Sequence, residues 1–340
     1  MKAITNKQKK YIRSFIHYFL GPVLFVWVSY SIYTQVRQQP DLDRSWQHIK
    51  ESFGSPLILN LVAVIILMVI NWGIEAVKWK LSVRNIQRIS LLTAFKAVLS
   101  GTSFSVTMPN RVGEYIGRVL YMEEGNRLKA VSLTIAGSMS QLIITLLMGL
   151  IGLLLLAEPI AQREFLSPAW IRTIIVGVSI VLVILTVFCF RLPMVSRIAV
   201  KGRWMKKYSW LISGLEGFNA TLMMQLLSLS ALRFLVFIVQ YYLMFRLFGV
   251  EVSWSQAWCA MSVSFLVMAV IPTIALITDL GLRGKVSLKL LNLFSGNDLG
   301  IGWALLSIWL INLIIPALAG SLLILSIKKF FKNTTNEEGT

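Results

Sequence analysis

Ionisable and metal-binding side chains are scarce in this sequence. Only 14% of its 340 residues are charged, whereas soluble proteins have about a quarter. Two cysteines, Cys189 and Cys259, and two histidines, His17 and His48, are too few and too scattered for a zinc site or a C-x-x-C pair. A Walker loop and a G-x-S-x-G nucleophile elbow are also absent from the sequence. We therefore expect no metal, no cofactor and no enzymatic activity.

Apolar residues are correspondingly abundant, at 56% of the chain, and the mean hydropathy is +0.72. One water-soluble core cannot bury so much apolar surface, so lipid must solvate much of it. A helix that crosses about 30 Å of hydrocarbon needs roughly 20 residues. Runs of this length predict an all-α, polytopic transmembrane helical bundle. Six runs qualify, at about 15–34, 56–77, 130–157, 171–190, 222–248 and 301–327.

The net charge of +18 comes mainly from short gaps between the apolar runs. Such gaps orient a membrane protein and contact anionic headgroups, so we predict no nucleic-acid partner. Segments 1–14, 78–88, 191–210 and 328–332 hold eighteen Lys or Arg and no acid, whereas the other gaps hold five basic and six acidic residues. Because Lys and Arg stay in the cytoplasm, we predict cytoplasmic locations for the basic N-terminus 1–14 and the tail 328–340. The membrane would be a bacterial inner membrane.

Two further segments, about 91–122 and 256–298, are apolar runs that contain helix breakers. Six crossings place both termini inside only if each segment enters and leaves on one side, as a re-entrant hairpin. Two such hairpins of opposite sense suggest an inverted repeat, a frequent plan of transporters. Two ordinary spans, giving eight crossings in all, are the alternative. The expected hairpin breaks are Gly101, Pro109, Gly113, Pro272 and Gly281.

The first hairpin carries a polar stretch at its predicted tip. Pro109 predicts a break near 107–110, after which Arg111, Glu114 and Arg118 share one helix face at spacing i, i+3 and i+7. A helix N-terminus beside two guanidinium groups suits a phosphate, such as a phospholipid headgroup. A solvated ion pair on a cytoplasmic amphipathic helix is the alternative.

The second hairpin and the 222–248 run add further charged candidates. Asp279 and Arg283 follow the second predicted break, and Arg233 lies well inside its apolar run. An arginine at membrane depth usually faces a cavity or an acid, here Glu75, Glu114 or Asp279, although it can also snorkel toward the headgroups. The predicted lipid- or phosphate-binding residues are Arg111, Glu114, Arg118, Arg233, Asp279 and Arg283.

These motifs resemble the transmembrane region of the lysylphosphatidylglycerol synthases, a flippase-like family, over about 50–327. The first signature of the family is a glycine, then Pro-x-Arg-x-Gly-Glu and an arginine four positions later. It corresponds to Gly101, Pro109, Arg111, Gly113, Glu114 and Arg118. The second, weaker signature corresponds to Pro272, Gly281, Arg283, Pro316 and Gly320. The resemblance implies a role in moving lipids.

The sequence also departs from the family pattern. Where the family often carries Glu-Arg and a nearby Asp, residues 137–141 read Gly-Ser-Met-Ser-Gln, and Gly284 replaces an expected Glu. The soluble aminoacyl-transfer domain has no counterpart here, so lysyl transfer is not expected.

Three functions fit these observations. The first is a non-enzymatic lipid translocase whose partner is an anionic phospholipid or a lipid-linked intermediate. The second is a scaffold or regulator that binds anionic lipid or a partner membrane enzyme without transport, and the missing charges favour it. The third and weakest is a membrane-embedded transferase that acts on a lipid-linked sugar or amino acid.

Overall fold

The computed structural model describes residues 57–107, 112–201, 214–215, 218–271 and 276–324, and their side chains except those of 107, 193–201 and 276–280. These residues form helices and connecting loops without any β-strand, which confirms the predicted all-α polytopic bundle. The predicted first span at 15–34 and both predicted cytoplasmic termini lie outside the described residues. The helices are α1 (Ile58–Val83), α2 (Leu91–Thr107), α3 (Gly113–Val119), α4 (Arg127–Gln162), α5 (Pro168–Lys201), α6 (Ala220–Leu247), α7 (Trp254–Val270), α8 (Leu276–Leu291) and α9 (Asp298–Trp309).

Five of the described helices are long and apolar enough to cross a membrane. They correspond to α1, α4, α5, α6 and α9 with its continuation to Ile324, and each contains a window of mean hydropathy at least 2.1. Helix α5 is the most exposed of these five described helices, because only 6% of its most apolar window is buried. An exposed surface this apolar must face lipid.

Two helices extend into segments that we had assigned to cytoplasmic loops. Helix α1 continues to Val83, so Lys78, counted above as a loop residue, lies inside the helix and is buried. Helix α5 likewise continues to Lys201. The prediction that 78–88 begins in a loop was therefore wrong, because a charged residue was taken to end the apolar run.

Helices α1 and α6 form an antiparallel pair. The Gln240 side chain donates to the Val64 carbonyl at 2.9 Å, and the Arg233 side chain donates to the Asn71 side chain at 2.7 Å. Residue numbers therefore increase along α1 in the direction in which they decrease along α6. The carboxyl end of α1 and the carboxyl end of α6 consequently lie at opposite ends of the bundle.

Helices α2 and α3 fold back on each other as a hairpin. A Cβ atom added to Gly117 would lie 2.3 Å from the Gly101 nitrogen, so only glycine permits this approach. The Glu123 amide donates to the Gln87 side chain at 3.0 Å, which brings the segment before α2 beside the segment after α3. The hairpin thus enters and leaves at the α1 carboxyl end. Seven residues in α3 rise only about 10 Å, too little to cross a bilayer.

Helices α7 and α8 form the second hairpin. The hydroxyl groups of Ser264 and Ser287 hydrogen-bond across it at 2.7 Å. The Asn297 side chain donates to the carbonyls of Phe248 and Gly249, each at 3.1 Å, which joins the segments before α7 and after α8. This hairpin therefore enters and leaves at the α6 carboxyl end. The two hairpins enter the bundle from opposite ends.

The last helix fixes the first hairpin in place. After α9 it passes through a π-helical turn, Leu310–Ile314, and continues to Ile324. A Cβ atom added to Gly320 would lie 2.0 Å from the Leu99 carbonyl oxygen, and Trp309 packs in one apolar cluster with Val106. The second half of α2 therefore packs against the final span, at Leu99 and Val106.

Candidate functional site

A row of polar side chains lies on one face of α1. Asn71, Glu75 and Lys78 follow the spacing i, i+4 and i+7, which places them one above the other on a helix. All three are buried, and Lys78 is only 2% exposed. Glu75 precedes the last residue of α1, Val83, by eight residues, or about 12 Å along the helix axis. The row therefore lies inside the bundle.

Two arginines from other elements meet Glu75. Arg118 of α3 donates from Nη2 to Glu75 Oε1 at 2.6 Å, and Arg233 of α6 donates from Nη1 to Glu75 Oε2. Arg233 also donates from Nε to Asn71 Oδ1 at 2.7 Å, and its guanidinium carbon lies 5.7 Å from the centre of the Trp72 ring. Each oxygen of one carboxylate is thus bound by a different guanidinium group.

Two further ionisable groups complete the charge cluster, which we define as Glu75, Lys78, Glu114, Arg118 and Arg233. Arg118 Nη2 also donates to Glu114 Oε1, and Lys78 Nζ lies 3.7 Å from Glu75 Oε2. Three cations and two carboxylates give the cluster a formal charge of +1. Removing charged groups from water costs several kcal/mol each unless they are paired, so the mutual pairing is what makes this burial possible.

Glycine residues on neighbouring helices make room for the cluster. A Cβ atom on Gly101 would lie 3.3 Å from Arg118 Cγ and 2.8 Å from the Glu114 carbonyl oxygen. A Cβ atom on Gly137 would lie 3.8 Å from Lys78 Cε, so the beginning of the uncharged stretch 137–141 within α4 lies beside the Lys78 side chain. Gly101 does not interrupt α2, and its role is close packing rather than the hairpin break that we had predicted.

Three hydrogen-bond donors on cluster residues and their neighbours have no acceptor among the residues that the structure describes. They are Asn71 Nδ2, Trp72 Nε1 and Arg118 Nε, and each atom is buried. Buried donors in proteins are nearly always paired, so three at one place point to a group that accepts hydrogen bonds. A carboxylate or phosphate accepts only, which matches this set. Among the described residues no three His, Cys, Asp or Glu side chains form a metal site.

The structure brings three of the predicted binding residues together, Glu114, Arg118 and Arg233. The alternatives considered for these two arginines are not what the structure has. The Arg118 side chain is 3% exposed, so it does not form a solvated ion pair. The Arg233 side chain is 12% exposed and is bound to Glu75 rather than extended toward the headgroups. Arg283 lies half-buried on α8 in the second hairpin, as part of a helix that runs unbroken through Gly281. Outside the described residues lie Pro109, Arg111, Pro272 and the side chain of Asp279.

Sequence reasoning missed the centre of the cluster. Glu75 was considered only as one of three acids for Arg233, Lys78 was assigned to a loop, and Asn71 was not among the predicted binding residues. The i, i+4 and i+7 spacing of three polar side chains within one apolar run was the available signal.

Comparison with protein families supplies the identity of this fold. The family described as the lysylphosphatidylglycerol synthase TM region matches residues 18–320. The chain belongs to this family. The resemblance inferred from the Pro-x-Arg-x-Gly-Glu motif is thereby confirmed, and Gly101, Glu114 and Arg118 of that motif lie in or against the charge cluster. No curated protein matches the chain. Family membership and the long apolar helices together establish a multi-pass integral membrane protein.

Proposed function

We propose that the protein is a non-enzymatic, flippase-like lipid translocase that handles a phosphate-bearing lipid. The observation that carries this proposal is the buried charge cluster, with its formal charge of +1 and its three donors that lack an acceptor among the described residues. A phosphodiester headgroup carries one negative charge and two free oxygens. It would supply both the missing charge and the missing acceptors.

The physical need for such a site is the cost of moving charge through hydrocarbon. An unpaired charged group at the bilayer centre costs about 2.5–3.5 kcal/mol even on insertion scales, and more on an isolated helix. Arg118 and Arg233 lie within the bundle, where a phosphate could pair with them instead of facing lipid tails. Two hairpins that enter from opposite ends resemble the plan of transporters that alternate access to one central site.

The proposed orientation follows from the basic segments. With the α1 carboxyl end in the cytoplasm of a bacterium, the first hairpin and the charge cluster would be reached from the inner leaflet of the cytoplasmic membrane. The lipid would then be an anionic phospholipid or a lipid-linked intermediate made on the cytoplasmic side.

Transport in reconstituted vesicles tests the proposal. A fluorescent phosphatidylglycerol is followed by quenching of the outer leaflet, with wild type and with the pair of variants Arg118→Lys and Arg233→Lys. These variants keep the charge but lose the planar guanidinium fork, so we expect transport to fall about tenfold or more. Arg246→Ala on α6 is the matched control, because Arg246 is exposed on the same helix as Arg233. Equal transport by all four proteins would remove the cluster from the mechanism.

A second candidate function is a scaffold or regulator that moves no lipid. It is favoured by the extent to which the arginines are already neutralised by Glu75 and Glu114, since such a cluster also locks helices together. Stable co-purification of a membrane enzyme, together with no transport by wild type, would support it over the first.

A further inference from the structure

Glu75 resembles, in its contacts, the phosphate that the site is proposed to bind. Its two oxygens lie between two guanidinium groups from different elements, Arg118 on the hairpin helix α3 and Arg233 on the span α6. A phosphodiester likewise offers two free oxygens that share one negative charge, and guanidinium groups bind both kinds of anion in the same geometry. Glu75 therefore fills a position between two guanidinium groups that would also attract a phosphate.

The donors without acceptors belong to residues near this carboxylate. Asn71 lies one turn before Glu75 on α1, Trp72 lies against the Arg233 guanidinium, and the third donor is Nε of Arg118 itself. Glu75 has only two oxygens, and Arg118, Arg233 and Lys78 already approach them. An anion with more acceptor positions than a carboxylate would satisfy groups that Glu75 leaves without a partner.

We propose that Glu75 is an exchangeable internal counter-ion, which a ligand phosphodiester displaces from Arg118 and Arg233. This inference rests on the proposed lipid-phosphate site. It adds which group neutralises the two arginines when no ligand is bound. Before binding, the carboxylate neutralises the two arginines inside the bundle. On binding, the phosphate takes the guanidinium groups and the carboxylate keeps its remaining partner.

Lys78 is that remaining partner. It follows Glu75 by three residues on the same helix, 3.7 Å away, and it lies in the space beside Gly137. The charges then balance in three pairs: Lys78 with Glu75, Arg118 with Glu114, and Arg233 with the phosphate. A cluster of formal charge +1 becomes neutral when it binds one phosphodiester. A dianionic ligand would leave an uncompensated charge in the bundle.

The test compares the affinity of variants for a phosphate headgroup. Glu75→Gln keeps the size and hydrogen-bonding oxygen of the side chain but removes the competing charge. If Glu75 occupies the site about nine-tenths of the time, its removal raises the apparent affinity about tenfold. The probe is a fluorescent phosphatidylglycerol in phosphatidylcholine nanodiscs. Glu124→Gln is the control, because Glu124 is an exposed acid that also faces an arginine, Arg127, three residues later.

The results separate competition from a merely structural role. Tighter binding by Glu75→Gln, with Glu124→Gln unchanged, supports the exchange. Equal or weaker binding by a folded Glu75→Gln protein overturns it, because a residue that only holds the arginines in place should help the ligand. A parallel titration with soluble dimethyl phosphate, a phosphodiester with one negative charge, identifies the source of the anion. A gain in both arms means that free phosphodiesters also bind, and a gain in the lipid arm alone restricts the site to lipid.

Wild-type protein provides a measurement that does not depend on a variant folding. Difference infrared spectra with isotope-labelled glutamate report the carboxylate stretches before and after phosphatidylglycerol is added. Exchange predicts a shift as the bonds from Arg118 and Arg233 to Glu75 break. Unchanged carboxylate bands at saturating lipid would overturn the exchange.

Failure of the exchange and failure of translocation give different results. Tighter binding by Glu75→Gln without transport by wild type would support the counter-ion exchange and refute the proposed translocation. Transport by wild type, with no gain in binding by Glu75→Gln, would support the translocation and refute the counter-ion exchange.

Discussion

Removing the Glu75 carboxylate should destabilise the protein strongly. Glu75→Ala raises the formal charge of the cluster from +1 to +2 and leaves Arg118 and Arg233 facing each other without their shared acceptor. Two guanidinium groups about 6 Å apart repel by about 3 kcal/mol at an effective dielectric constant near 20. Loss of one partner from a buried ion pair costs about 3–5 kcal/mol in measured cases. We therefore expect the free energy of unfolding to fall by about 3–5 kcal/mol.

Equilibrium unfolding in mixed micelles of SDS and a mild detergent measures this change. The control is Glu124→Ala, whose side chain is 79% exposed and lies 3.9 Å from Arg127, so the loss should be about 0–1 kcal/mol. The double variant Glu75→Ala/Arg233→Leu should lose less than the sum of the two single changes, by at least about 1 kcal/mol, because the first change already removes the partner of the second. Strict additivity, or a Glu75→Ala loss no larger than the control, would refute a buried, mutually dependent cluster.

Two further predictions concern the first hairpin. Gly117→Ala should lower the free energy of unfolding by about 1–3 kcal/mol, because the added Cβ would lie 2.3 Å from the Gly101 nitrogen. Gly125→Ala is the control and should change the free energy of unfolding little, because no atom lies within 4 Å of its added Cβ. Equal effects of the two substitutions would disprove the close approach. Cysteines at Gln87 and Glu123, in a background without native cysteine, should be joined by a short thiol-specific cross-linker in native membranes, because both ends of the hairpin meet there. Labelling of those two cysteines from opposite sides of the membrane would instead show that 91–122 is a full crossing.

The helical elements could be predicted well from the apolar runs, but their ends could not. An 18-residue apolar window signals a span whatever its surroundings, and five of the six predicted runs overlap long apolar helices. Lys78 shows why the boundary fails. A lysine normally ends an apolar run because its charge needs water, yet here the Glu75 carboxylate on the same helix replaces that water and α1 continues to Val83.

The candidate site could be predicted only in its local part. Glu114 and Arg118 are four residues apart on one helix, so their contact follows from helix geometry. The contact of Glu75 with Arg233 joins positions 158 residues apart, and its existence depends on the antiparallel register of α1 and α6. Nothing in the local sequence specifies that register. The charge cluster is therefore a property of the packed bundle rather than of any one motif.

The way the cluster is divided among helices links ligand binding to the position of the hairpin. Glu75 and Arg233 belong to the long antiparallel pair α1 and α6, whereas Arg118 and Glu114 belong to the seven-residue helix α3. The bond from Arg118 to Glu75 is thus a polar connection between that pair and the hairpin. A ligand that takes Arg118 from Glu75 changes how strongly the hairpin is held, and by linkage the hairpin position changes the affinity for the ligand by the same factor. Ligand binding and movement of the hairpin would then be two measurements of a single equilibrium.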